Sequence, residues 1–151
     1  GAARVVSNFD DVVADGDVDV VYLCTPNSQH VDQAVAALLE DLRERGLLDT
    51  TLVVLVGEFG RAPKISKGAK RIGRNHWPQC YSAMLAGAGI RGGSVYGESD
   101  KHAAYVKSNP VSLEDFTATL FAAMDINPAS RLGRDGFTVP ASTGNPIEAL
   151  L

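Results

Sequence analysis

The stretch of this chain that decides the fold is Thr51 to Pro78, TLVVLVGEFGRAPKISKGAKRIGRNHWP. An apolar run at its start ends in a carboxylate, Glu58, and a basic loop then leads to His76. Such an apolar run is typical of a strand that is buried on both faces of a sheet. Because the carboxyl ends of parallel strands lie at one edge of the sheet, we interpret Glu58 and His76 as candidate metal ligands at that edge.

The overall composition fits a globular domain. The chain has 151 residues, of which 45% are hydrophobic, and a chain of this size can bury a core large enough to fold alone. Its net charge of -4 argues against nucleic acid as a partner. No run reaches the roughly 18 apolar residues that a membrane span needs, and the N-terminus lacks the regions of a signal peptide. We therefore expect a cytoplasmic protein with no membrane partner.

One segment departs from the negative overall charge. Residues 61–74 contain no acidic residue and six basic ones: Arg61, Lys64, Lys67, Lys70, Arg71 and Arg74. Such a loop suits an anionic substrate, and Arg61 and Arg74 are candidate substrate-binding residues because guanidinium groups can hold an ester oxyanion by paired hydrogen bonds. The structural alternative is a solvated loop that the two arginines anchor.

Hydrophobic periodicity and capping signals predict the elements. Strands are predicted at 4–7, 18–24, 51–56 and 80–86, with a short extended piece at 94–97 and loops after residue 127. Helices are predicted at 8–14, 28–45 and 112–124, the second ending at Gly46 and the third beginning at Ser112. The alternation of strands and helices predicts right-handed parallel crossovers. We therefore predict an α/β fold with a mostly parallel sheet and helices on both faces.

Several segments, in order, carry a resemblance to a known family. They are TLVVLVGEFGRAPK, GRNHWPQCYSAMLAGAGIRGG, the Ser-Asp-Lys at 99–101, PVSLEDFTATLFAAMDINP and GNPIEALL. About residues 38–151 resemble the C-terminal part of an uncharacterised sulfatase-like family of the alkaline phosphatase superfamily. The resemblance implies a hydrolase of phosphate or sulfate esters in which Glu58 and His76 bind a divalent ion, zinc or manganese. The family's nucleophile comes from its N-terminal half, for which this sequence offers no replacement.

A second resemblance covers about residues 2–38, ARVVSNFDDVVADGDVDVVYLCTPNSQHVDQAVAAL. This stretch resembles part of the Rossmann domain of the Gfo/Idh/MocA oxidoreductases, which implies a cofactor-binding turn at Thr25, Pro26, Asn27 and His30. The G-x-G-x-x-G loop that would hold a dinucleotide is absent, which argues against NAD(P). We interpret the chain as a chimera within one α/β domain, Rossmann-like over 1–38 and sulfatase-like over 39–151.

Three functions remain open at this stage. The first is a truncated relative of the ester hydrolases, weakly active or inactive by itself, and the second is an NAD(P)-dependent oxidoreductase fragment. The third is a non-catalytic α/β module that forms homo-oligomers through apolar strands left uncovered. The individual residues also have structural alternatives. Glu58 could cap the turn from Phe59 to Arg61 or pair with Arg61, and His76 could be a hydrogen-bonded loop histidine.

Overall fold

The computed structural model of the protein describes residues 27–68, 72–132 and 139–151. The chain divides into two compact units, of which the first ends at Thr51 and the second spans Leu52–Leu151. The strands predicted at 4–7 and 18–24, and the helix predicted at 8–14, lie outside the described residues. Over the described ranges, no helix is long and apolar enough to cross a membrane.

Helix α1 of the first unit spans Asn27–Glu44, which confirms the predicted helix with a shift of one residue at each end. The chain leaves α1 at Gly46, whose φ is 67°. The Gly46 N–H donates to the carbonyl of Arg43 (3.0 Å), and the Leu47 N–H donates to the carbonyl of Leu42 (2.8 Å). These two bonds form a Schellman motif, so the predicted helix end at Gly46 is confirmed. A short 3₁₀ turn, Leu48–Thr50, follows.

The second unit contains short strands, one α-helix and a final 3₁₀ turn. The strands are β1 (Val53–Val56), β2 (Gly60–Arg61), β3 (Ser66–Lys67), β4 (Ile72–Gly73), β5 (His76–Trp77), β6 (Ala83–Ala86), β7 (Glu98–Ser99), β8 (Val106–Ser108), β9 (Arg131–Leu132) and β10 (Val139–Pro140). Helix α2 spans Leu113–Ala123, and the 3₁₀ turn spans Glu148–Leu150. The pairs are β1 with β6, β2 with β5, β3 with β4, β7 with β8 and β9 with β10.

The prediction of an α/β fold with a mostly parallel sheet and helices on both faces is wrong. Every ladder in the described part of the chain is two-stranded and antiparallel. A parallel β1–β6 pair would need a crossover, usually a helix. The connection between them, residues 57–82, contains four glycines and two prolines, which disfavour a helix. The chain instead returns antiparallel, with Val53 opposite Ala86 and Val56 opposite Ala83.

The apolar run that forms β1 is not buried on both faces. The residues Val54, Leu55 and Val56 retain 38%, 40% and 49% of their accessible surface. Residue type identified the strand correctly, but periodicity alone does not identify the element that covers it. Within the described residues, β1 and β6 therefore present an apolar two-stranded surface.

The tightest packing of the second unit is at α2. The Ser112 hydroxyl accepts a hydrogen bond from the Asp115 N–H at 3.0 Å, which is the N-cap that the sequence predicts. The helix buries Ala118, Thr119 and Ala123. Thr119 and Ala123 are four positions apart and therefore lie on one side of the helix, and Ala118 is next to Thr119 in sequence.

The C-terminal segment, residues 142–151, is fastened to α2 by side-chain hydrogen bonds. The Ser142 hydroxyl donates to the Glu114 carbonyl (2.7 Å), and the Asn145 N–H donates to the Asp115 carboxylate (2.8 Å). The Thr119 hydroxyl accepts from the Ile147 N–H at 3.0 Å. Within the C-terminal segment, only the 3₁₀ turn is regular secondary structure. Hydrogen bonds with α2, rather than pairing with a strand, therefore hold the segment in place.

Candidate functional site

The candidate site is built on the ladder formed by β2 and β5, which we call the His76 ladder (residues 60–61 and 76–77). Its register places Gly60 opposite Trp77 and Arg61 opposite His76. One further bond, from the Ala62 N–H to the Asn75 carbonyl (2.8 Å), extends the pairing beyond the strands. The ladder thus brings the two ends of the basic segment together.

Gly60 makes this pairing sterically feasible. A Cβ at position 60 would overlap the carbonyl oxygen of Cys80 and would lie 3.1 Å from the carbonyl oxygen of Trp77. Both neighbours are backbone atoms, so they cannot move away as a flexible side chain would. The chain after His-Trp-Pro therefore passes directly over Gly60, and only a residue without a side chain fits there.

The imidazole of His76 is exposed and stacks on the ring of Phe59, with the ring centroids 3.9 Å apart and an interplanar angle of 23°. This contact fixes the side of the ladder on which His76 lies. Phe59 follows Glu58 directly, so the stacking also brings the chain at Glu58 to the chain at His76. The stacking partner was not predicted from the sequence, although an aromatic residue beside a candidate ligand was a usable signal.

Glu58, Arg61 and Arg74 are exposed, like His76. Over the described ranges, the ion pairs do not include Glu58 with Arg61, so the pairing considered as an alternative for Glu58 does not occur. The structure places all four predicted site residues on or beside the His76 ladder. It places them on an open antiparallel ladder rather than at the carboxyl edge of a parallel sheet.

Trp77 connects the ladder to the loop at residues 100–105. Its indole Nε1 donates to the Ala104 carbonyl at 2.5 Å, and its ring meets Tyr105 edge-on, with centroids 5.8 Å apart. Trp77 is half-buried, and the sequence reasoning did not single it out. An indole N–H that is partly buried usually needs an acceptor, and here that acceptor sets the position of β5.

Asp100 in turn holds the loop that provides this acceptor. One carboxylate oxygen accepts hydrogen bonds from the backbone N–H groups of His102 and Ala104, both at 2.9 Å. These bonds, chiefly the one from Ala104, hold the pKa of the Asp100 carboxyl below its usual value. The Ser-Asp-Lys motif therefore orders a turn behind Trp77 and supports the ladder indirectly.

The ladder residues alone do not fit a catalytic divalent ion. Among the described residues, no group of three or more His, Cys, Asp or Glu side chains could hold a metal. Catalytic zinc sites use three protein ligands and keep one position open, whereas the ladder offers Glu58 and His76.

The predicted cofactor turn is only partly within the described residues. Thr25 and Pro26 lie outside them, and Asn27 and His30 lie in the first turns of α1. Their side chains are not among those that the structure describes.

A cleft lies at the start of α2, apart from the His76 ladder. It is a cleft of about 360 Å³, and its lining includes Tyr96, Asp115, Asn145 and Glu148. The Asp115 carboxylate is already engaged, because the Asn145 N–H bond holds its pKa below the usual value. In this cleft, Asp115 therefore fastens the C-terminal segment to the helix.

Comparison with known proteins gives one family. The family described as "Protein of unknown function (DUF1501)" matches residues 22–151. The match runs through the predicted boundary between residues 38 and 39, and it overlaps the oxidoreductase-like stretch over residues 22–38. No solved structure matches the chain.

Proposed function

The chain belongs to the DUF1501 family of proteins of unknown function, and we propose that it is a relative of the metal-dependent phosphate and sulfate ester hydrolases. In this proposal the His76 ladder binds the anionic head of an ester, and the chain by itself has little or no turnover. The resemblance of residues 38–151 to the sulfatase-like family supplies the reaction class.

The observation that carries the proposal is the pairing of Arg61 with His76. The two residues are far apart in sequence, yet the register sets them directly opposite each other, and Phe59 stacks on the imidazole. Neighbouring side chains of opposite strands lie within reach of one small ligand. A guanidinium and an imidazole in this relation offer several N–H donors to an oxyanion.

The charge around the ladder supports an anionic ligand. Arg61 and Arg74 are both exposed, and over the described ranges neither forms an ion pair. Their charge is therefore not neutralised by a carboxylate of the described chain. The planar guanidinium of an arginine can donate two hydrogen bonds at once to two oxygens of a phosphate or sulfate, whereas a lysine ammonium acts as a point charge.

Low turnover follows from the donor set. Glu58 and His76 supply two ligands where a catalytic ion needs three or more protein ligands, and the resemblance places the nucleophile in the family's N-terminal half, for which this sequence offers no replacement. We therefore expect the ladder to bind an anion without efficient cleavage of the ester.

Calorimetry with inorganic phosphate and with sulfate tests the binding half of the proposal. We expect weak binding that is lost in Arg61→Ala and in Arg74→Ala and is retained in Lys101→Ala, which removes an exposed cation of the neighbouring loop and leaves both arginines in place. Equal binding by all four proteins, or no binding by any, would contradict the proposal.

Zinc and manganese titration, with aryl phosphate and aryl sulfate assays, tests the other half. We expect weak metal binding that Glu58→Ala and His76→Ala both reduce, and no rapid hydrolysis. Rapid metal-dependent hydrolysis that Glu58→Ala abolishes would overturn the proposal that the chain has little or no turnover, and it would leave the family assignment in place.

A second candidate function is self-association, which the exposure of β1 favours. Val54, Leu55 and Val56 form an apolar strand surface on a two-stranded ladder, and such a surface is prone to pair with another chain. We expect light scattering to detect dimers of the wild type and fewer dimers of Leu55→Lys. A monomer at every concentration tested would remove this candidate.

A further inference from the structure

The hairpin formed by β3 and β4 projects a mixed apolar and cationic face. We call its described residues, 64–68 and 72–74, the basic hairpin. The register places Lys67 opposite Ile72 and Ser66 opposite Gly73. Because side chains alternate along a strand, Lys67 and Ile72 share one face, and continuing the alternation adds Ile65 and Arg74 to it. Two isoleucines and two cations therefore occupy the same side of the ladder.

This face is open to solvent. Ile65 and Ile72 keep 61% and 79% of their accessible surface. Folding therefore removes little of their apolar area from water. On the opposite face, a Cβ at Gly73 would have no described atom within 4 Å. The Gly73 face is less open, because Ser66, which shares it, is half-buried. The face of Ile65 and Ile72 is therefore the more exposed side of this hairpin arm.

The arm is strongly positive in a chain whose net charge is -4. Lys64 and Lys67 are exposed, and over the described ranges they form no ion pair. The whole segment 61–74 contains no acidic and no aromatic residue. This charge is unbalanced locally, so it favours an anionic partner.

The shape and side chains of the arm distinguish between classes of anionic partner. Single-stranded nucleic acids are held by aromatic stacking, and the segment has no aromatic residue. A peptide helix needs a groove, and the cleft described above lies at α2 rather than at this ladder. A lipid surface needs neither, because aliphatic side chains enter between the head groups while cations meet the lipid phosphates.

We propose that the basic hairpin docks on an anionic lipid surface, with Ile65 and Ile72 inserted, with Lys67 and Arg74 of the same face at the phosphates, and with Lys64 adding charge close to the surface. The sequence predicted no membrane partner because no segment can span the bilayer, but docking on its surface requires no span. The inference shares Arg74 with the proposed ester site, so its test leaves both Arg61 and Arg74 in place.

Co-sedimentation with vesicles tests this proposal on the full chain. The vesicles are phosphatidylcholine alone, and phosphatidylcholine equimolar with phosphatidylglycerol. One variant carries Lys64→Gln and Lys67→Gln, and a second carries Ile65→Ser and Ile72→Ser. The matched control carries Lys101→Gln and Val95→Ser, which removes an exposed cation and a valine that is 93% exposed away from the arm.

We expect binding only to the anionic vesicles, weakened by added salt because exposed charges are screened. Loss of the two lysines should lower the partition coefficient about 25-fold, at about five-fold for each cation near such a surface. Loss of the two isoleucines should lower it by about tenfold or more, and the control should bind like the wild type.

Three results would overturn the proposal. They are absence of binding to the anionic vesicles, equal binding by all variants, and tighter binding to a soluble polyanion such as heparin that the isoleucine variant retains. The last result would identify a purely electrostatic surface. Phosphate calorimetry on the same variants separates the two proposals, since Arg61 and Arg74 are intact in all of them.

Discussion

The His76 ladder and helix α2 with its C-terminal segment are held in different ways. Around the ladder, the described side chains from 58 to 77 are exposed or half-buried apart from Ala62. Around α2, Thr119 is fully buried and bonds to Asp115 and Ile147. The residues that indicate chemistry therefore lie on an open surface, and the residues that hold the second unit together lie elsewhere. Mutations should separate the two.

The largest expected effect is at Gly144, where a Cβ would overlap backbone atoms of Glu114 and Asp115. Gly144→Ala should force the C-terminal segment away from α2 and lower the free energy of unfolding by about 3 kcal/mol. Urea denaturation followed by circular dichroism measures this change. Gly92→Ala is the control, because no described atom lies within 4 Å of a Cβ there. Equal unfolding curves for both variants would contradict the packing described for α2.

The next effect concerns the buried hydroxyl of Thr119. It donates to the Asp115 carbonyl at 2.7 Å and accepts from the Ile147 N–H at 3.0 Å. Thr119→Val keeps the shape but leaves the Ile147 N–H without its acceptor, which should lower the free energy of unfolding by about 2 kcal/mol. Thr117→Val removes a similar bond to the Leu113 carbonyl at a more exposed position and should cost less in the same denaturation experiment.

Substitution of Gly60 should affect the ladder and spare α2. In Gly60→Ala, the overlap with the Cys80 carbonyl should separate β2 from β5 at a cost of about 1 kcal/mol or less in global stability, since exposed ladders open locally. Amide exchange at Ala62 should accelerate, and the fluorescence of Trp77, the single tryptophan of the chain, should shift. Gly73→Ala is the matched control. A loss of global stability like that of Gly144→Ala would remove the distinction between the two regions.

The smallest expected effect is the loss of stability at low pH. The pKa values of Asp100 and Asp115 are held low, chiefly by the N–H groups of Ala104 and Asn145. Because the folded state favours both carboxylates, their contribution to stability is present above the unfolded pKa of about 3.9. It is lost as the pH falls through the lower pKa of the folded state.

The two acids report on different regions, so acid titration can distinguish them. We expect Asp100→Asn to remove the acid-induced change in Trp77 fluorescence, and Asp115→Asn to remove the acid-induced change in helicity. Asp125→Asn, at the other end of α2, is the control. If one variant removed both changes, the two regions would titrate as one unit.

Part of the candidate site could be predicted from the sequence. Glu58, Arg61, Arg74 and His76 were chosen from residue type and order, and the structure brings the chain at all four to one ladder. The roles of Phe59, Trp77 and Gly60 could not be predicted in the same way. Each depends on an atom far along the chain, respectively the His76 ring, the Ala104 carbonyl and the Cys80 carbonyl.

The sequence by itself determined the elements whose signals are local. Helix α1 with its glycine end and helix α2 with its serine cap are specified by residues within one or two turns, and the apolar runs located β1 and β6. Only the tertiary structure decided that β1 meets β6 antiparallel, that Val54, Leu55 and Val56 stay exposed and that Arg61 faces His76. A strand offers the same backbone N–H and C=O groups to a parallel and to an antiparallel partner. The intervening chain and its contacts therefore determine which pairing forms.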